Sequence, residues 1–233
     1  MRLLVWLKAL VLDLFFAFFC IFLSFFKKFS KNLNGYNKDN IPILFIHGYM
    51  HHSVVFLYMI KTIKKAGYNS IFTINLNKPF SSIEVFSQEM KIKVTEIKKN
   101  TNSNKIHIIA HSMGGVVAAY YALFLDKEES IDKLITICSP LNGTYAAFAG
   151  AGKCAYEMRK NSIFINNLNK KILEDNSINF YHIATKTDQL IIPYKSALTN
   201  KNLKKEFIFD GIGHAKILFT KKVVLKVLEF LSS

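Results

Sequence analysis

The stretch Ile106-His107-Ile108-Ile109-Ala110-His111-Ser112-Met113-Gly114-Gly115 carries the strongest chemical signal in the chain. An apolar run of strand length leads into a serine with small residues two before and two after it, and a helical pattern follows. A serine on so sharp a strand-to-helix turn has its hydroxyl lifted above a sheet, where it can act as a nucleophile. Small neighbours let other backbone segments approach closely. The helix that begins just after Ser112 points the positive end of its dipole at the same spot, which favours a developing oxyanion. These residue types predict acyl chemistry through a covalent serine intermediate.

A turn of this kind needs a sheet behind it. Short apolar runs at Ile43–Ile46, Ile71–Ile74, Ile106–Ala110, Leu134–Cys138, Phe180–Ala184 and Phe207–Phe209 have the length and branching of buried strands. Helical spacing falls between them, at Ser53–Ala66, Ser82–Lys99, Val116–Leu125 and Lys216–Leu231. In Ser82–Lys99 the apolar residues Ile83, Phe86, Met90, Val94 and Ile97 recur every three or four positions. Strands alternating with helices predict a mostly parallel sheet covered on both faces. The stretch Leu141–Asn176 breaks the alternation and reads either as a lid over the site or as a crossover helix with its loop.

The N-terminal block, Leu3 to Phe26, reads as one hydrophobic helix long enough for a bilayer core. Lys8 and Asp13 interrupt it. A charge at the centre of a span costs about 2.5–3.5 kcal/mol, against a return of about 0.3–0.6 kcal/mol for each Leu, Ile, Phe or Val. Insertion is therefore expected to win by a modest margin. No small-x-small cleavage site follows the apolar core, so an uncleaved anchor is preferred to a signal peptide, and an interfacial helix stays open. The chain divides accordingly into a membrane helix over 1–28, a polar linker over 29–40 and one catalytic domain over 41–233. Lys27, Lys28, Lys31 and Lys38 after the helix place the domain, weakly, on the cytoplasmic side of a membrane such as the bacterial inner membrane.

The 233 residues suffice for one core-bearing domain. The net charge of +15 is carried by lysine, with Arg2 and Arg159 the only arginines. Arginine is the better reader of phosphate and base edges, so nucleic-acid binding is not expected. Cys20, Cys138 and Cys154 make no disulfide framework and have no zinc-ligand spacing. No cofactor and no metal are expected.

Ala110-His111-Ser112-Met113-Gly114-Gly115 resembles the nucleophile elbow of bacterial lipases and esterases of the α/β-hydrolase superfamily, in the variant that has Ala for the first Gly. Pro42-Ile43-Leu44-Phe45-Ile46-His47-Gly48-Tyr49 resembles the oxyanion loop of the same enzymes. The resemblance implies an α/β-hydrolase fold. It also implies an oxyanion hole built from the backbone N–H groups of Tyr49 and Met113. By position His47 orders that turn and His111 lines the pocket beside the nucleophile, and His47, Gly48 and His111 are the expected substrate-binding residues. Thr185-Lys186-Thr187-Asp188-Gln189-Leu190-Ile191-Ile192-Pro193 resembles the loop that carries the family's acid, and Gly211-Ile212-Gly213-His214 the loop that carries its base. The implied triad is Ser112, Asp188 and His214, with Asp210 and Asp175 as weaker candidates for the acid. Cys138-Ser139-Pro140-Leu141-Asn142-Gly143-Thr144 resembles a further lipase segment, and Cys138 itself is expected to be structural. The implied activity is hydrolysis of lipid or other acyl esters. A thioesterase or acyltransferase on the same triad is the alternative within enzymes, and a non-catalytic membrane-bound scaffold the alternative outside them.

Overall fold

The computed structural model describes residues 2–24, 41–199 and 205–233. The elements run α1 (Arg2–Ser24), β1 (Ile43–Ile46), α2 (Leu57–Lys65), β2 (Ile71–Ile74), α3 (Ile83–Thr101), β3 (Ile106–His111), α4 (Met113–Tyr120), β4 (Ile131–Ile137), α5 (Gly152–Glu157), α6 (Ile163–Glu174), β5 (Asn179–Thr185), β6 (Glu206–Phe209) and α7 (Lys221–Ser232). The linker expected over 29–40 lies outside the described residues.

All six strands pair in parallel, in the order β2-β1-β3-β4-β5-β6. Side chains along a strand point to opposite faces in turn, and the core divides accordingly. Ile43, Phe45, Ile109, Ile135 and Ile137 belong to the layer that α2 and α7 cover. Leu44, Ile46, Ile108, Ala110 and Leu134 belong to the layer under α3, α4 and α6. Burial on both faces explains why the strands read as unbroken apolar runs. Register aligns Ile46 with Ala110 and His111 with Ile137, so the loops after β1, β3, β4 and β5 open on one edge. Strand order reverses between β1 and β3, the position at which such sheets leave a crevice.

Several boundaries differ from expectation. The closing helix splits at Thr220 into a 3-10 turn (Lys216–Phe219) and α7. Helix α4 starts at Met113, earlier than expected, and loosens into a π turn over Tyr121–Leu125. Residues 141–176 resolve the open choice in favour of the crossover: α6 packs Ile165, Leu168 and Ile172 onto the sheet, preceded by a loop and the short α5.

The expected transmembrane anchor finds no support. Among the described residues no helix is long and apolar enough to cross a membrane. Instead α1 lies on the domain. Ala9, Asp13 and Cys20 are buried on one stripe. Cys20 joins the core layer of α2 and α7. The Phe16 ring stacks on Phe219 with centroids 5.1 Å apart, and Phe19 meets the same ring at 5.5 Å. Averaged hydropathy did not separate this inward stripe from the outward one, where Leu4, Leu7, Val11, Phe15 and Phe18 remain exposed. If α1 is part of the folded unit, Phe16→Ala should destabilise the domain by about 0.5–3 kcal/mol in a denaturant titration. A tether would leave the midpoint unchanged.

Candidate active site

Ser112 sits between β3 and α4 at φ 55°, ψ −130°, a backbone region that non-glycine residues enter at a cost of about 1–3 kcal/mol. The surroundings enforce it. Ser112 N–H donates to the Ile137 carbonyl at 2.9 Å, and Gly115 N–H donates to the Ser112 carbonyl at 3.0 Å. A Cβ on Gly48 would lie 2.8 Å from Ser112 Cβ, and one on Gly114 would lie 2.6 Å from the His47 carbonyl oxygen. A Cβ on Gly115 would collide with the Ser139 side chain. Small residues are required here because three backbone segments converge on one turn. Ser112 itself stays partly accessible.

The loop after β1 lies against that turn. His47 is buried; its Nδ1–H donates to the Gly48 carbonyl at 2.9 Å, and Nε2 accepts from Leu76 N–H at 3.1 Å. Burial pushes its pKa down to about 4, so the ring is neutral and held in one tautomer. Tyr49 bridges to the α5 side: its hydroxyl donates to the Ala151 carbonyl at 2.9 Å and accepts from Ala151 N–H at 3.2 Å. Met113 opens α4 on the opposite side. Tyr49 and Met113 both line a cavity of about 430 Å³, shared with Gly48, Asn75, Phe80 and Cys154. His51 and His52 also border it and are half-buried.

Asp188 and His214 meet on the same edge of the sheet. Nδ1 of His214 lies 2.9 Å from Oδ1 and 3.0 Å from Oδ2 of Asp188, both residues being buried. Oδ1 of Asp188 also accepts from Leu190 N–H and Ile191 N–H, each at 2.8 Å. The two loops are stitched together: Thr185 and Thr187 hydroxyls donate to the Ile212 carbonyl, and His214 N–H donates to Gln189 Oε1. Burial opposes a charge on His214. The Asp188 carboxylate, by charge and hydrogen bond, and the Asp13 carboxylate more remotely outweigh that burial and hold its pKa above the ordinary value.

Two neighbours have roles the sequence did not show. His111, expected to line the pocket, is fully buried. Its Nε2–H donates to the His214 carbonyl at 3.1 Å, with ring centroids 4.7 Å apart, and burial keeps it neutral. Cys138, at φ 48° just past β4, places its thiol beside Asp188 and His214. Burial, then the Asp188 charge and hydrogen bond, push its pKa well up, so it is a neutral S–H donor to that carboxylate. These three side chains have metal-like spacing, yet the acid already holds an imidazole and two N–H groups, and the thiol keeps its proton. Its position at the end of β4, beside β5, was the available signal. Asp210 is exposed and accepts from Gly211 N–H, and Asp175 accepts from Ser177 and from Ile178 N–H; neither faces His214.

Comparisons with known proteins bear on the fold. Residues 41–161 match the family described as alpha/beta hydrolase fold. A curated relative, the lysosomal thioesterase PPT2-B of Xenopus laevis, is 29% identical over 108 residues, 45% of this chain and 37% of its own length. The matched part thus spans little more than a third of that relative. Among solved structures, the mature lipase BlEst2 of Bacillus licheniformis superposes with a TM-score of 0.72 at 14% identity, covering 84% of this chain and 96% of that one. Aspergillus fumigatus lipase B superposes with a TM-score of 0.74 at 14% identity, covering 86% and 54%. A lipase-esterase related protein of Clostridium acetobutylicum gives 0.62 at 18% identity, covering 84% and 97%. With its parallel six-stranded sheet and a family match over half its length, the chain belongs to the alpha/beta hydrolase fold family.

Proposed function

We propose that the protein is a serine ester hydrolase that works through Ser112, His214 and Asp188. The observation that carries this reading is the buried Asp188–His214 pair on the same sheet edge as the strained Ser112 turn. In the first step His214 Nε2 takes the proton of Ser112 as Oγ attacks the acyl carbonyl carbon. The carbonyl oxygen becomes an oxyanion facing the backbone N–H groups of Tyr49 and Met113, donors whose removal typically lowers the rate by about 10²–10³-fold. The imidazolium then gives its proton to the departing alkoxide, and an acyl-serine remains. Water repeats the sequence with the same base, and the acid product leaves. Asp188 holds Nδ1 protonated and stabilises the imidazolium without itself being protonated.

A lipid or other long-chain acyl ester is the favoured substrate. The Phe80- and Met113-bordered cavity can hold an apolar chain, and the exposed Leu4, Val11 and Phe15 face of α1 suits a lipid-rich surface. Thioester cleavage on the same residues is the second reading, favoured by the sequence match to a thioesterase. The ratio of kcat/KM for matched oxyester and thioester acyl chains separates the two.

Ser112→Ala should lower kcat on p-nitrophenyl esters by about 10⁴–10⁶-fold and abolish fluorophosphonate labelling, with the thermal transition preserved. Undiminished turnover would remove Ser112 from its role. The base must be neutral to accept a proton, and His214 has a raised pKa. Wild-type kcat/KM is therefore expected to fall as pH drops through a value above 6.5, the ordinary value for the group. Asp188→Asn should reduce kcat by about 10⁴-fold and displace that acid limb to lower pH, since the largest favourable charge is gone. A limb that stays in place would contradict the pairing.

A further inference from the structure

Asp13 is the only acidic residue of α1. It is buried, and no lysine or arginine among the described residues forms an ion pair with it. Its Oδ1 accepts from Ala215 N–H at 2.7 Å and from Lys216 N–H at 2.9 Å, across 202 and 203 positions of chain. The same carboxyl occupies the space that a Cβ on Gly213 would need. One carboxylate from the N-terminal helix therefore contacts the backbone on both sides of His214. We propose that Asp13 is a positioning residue for His214: seated across the 213–216 backbone, it holds the loop that presents the imidazole, and it makes α1 a working wall of the active site. The proposal rests on the reading of His214 as the base.

A bland alternative is a carboxylate that merely closes the N-terminus of the Lys216–Phe219 turn and adds stability. The surroundings of His214 allow the two to be separated. Asp188 faces it from the loop after β5, Asp13 from α1, His111 from β3, His51 from the loop after β1, and Cys138 from the end of β4. His111 and His51 are kept neutral by burial, the latter with a pKa down to about 4, and the thiol keeps its proton. Asp188 and Asp13 are thus the two charged neighbours. Burial raises the pKa of Asp13, against the two N–H bonds that lower it.

The test uses Asp13→Ala and Asp13→Asn in the full chain, with p-nitrophenyl butyrate as substrate and thermal transitions recorded in parallel. Asp13→Ala should lower kcat by about 10–100-fold, the usual penalty for a misplaced group, with KM little changed. Asp13→Asn keeps an acceptor at Oδ1 and should recover most of kcat. A kcat loss at unchanged KM in Asp13→Ala that Asp13→Asn restores, with matched thermal transitions, is a pattern that a purely stabilising cap would not give; because Asn lacks the charge, its acid limb should also move to lower pH. Should Asp13→Ala fail to fold, Asp13→Asn decides alone. A wild-type acid limb in that variant, or unchanged kcat in a folded Asp13→Ala, overturns the proposal. If Ser112→Ala retains full turnover, the hydrolase reading fails and the positioning role falls with it. If Ser112→Ala is inert while Asp13 variants behave as wild type, only the positioning role fails.

Discussion

A charged imidazole in a dry pocket is unfavourable, and the site is organised around that constraint. His214 is almost completely buried, which by itself disfavours protonation. The Asp188 carboxylate reverses the balance, but it too has been taken out of water. It is stabilised by two backbone N–H groups and by the Cys138 thiol, while the nearby His111 and His51 add no competing positive charge. Removing one member of such a pair typically costs about 3–5 kcal/mol, because the survivor is left unpaired. The Thr185 and Thr187 bonds to Ile212 and the Gln189 bond to His214 therefore hold the loop geometry on which the pair depends.

The second constraint is conformational. Ser112 occupies a left-handed backbone because Gly48, Gly114 and Gly115 let the β1 loop and the segment after β4 press against it. Parallel pairing brings these segments to a common edge. The Ser112 turn, the His47-Gly48 turn and the loops that carry Asp188 and His214 all follow strands that end there. The sheet thus fixes distances that no single loop could hold.

Helix α1 changes the picture of the N-terminus. Its small and polar stripe, Ala9, Asp13 and Cys20, faces protein. Asp13, which would be a liability in hydrocarbon, finds two N–H donors beside the candidate base. The aromatic residues Phe16 and Phe19 close over Phe219 in the same layer.

The local features were legible in the chain itself. The six strands announced themselves as branched apolar runs, since a strand buried on both faces has no polar side to show. Ser112 and the His47-Gly48 turn were visible because their chemistry lies within a few consecutive residues. Asp188 and His214 were reachable through their order along the chain and their loops' resemblance to a known family. Nothing in local pattern announced that Asp13 meets Ala215, that Cys138 donates to Asp188, or that His111 braces the His214 carbonyl. Sequence periodicity records which face of an element is apolar; it carries no record of what that face will meet. Whether α1 lay against protein or lipid was decided by partners some two hundred residues away, and only the folded sheet brought them together.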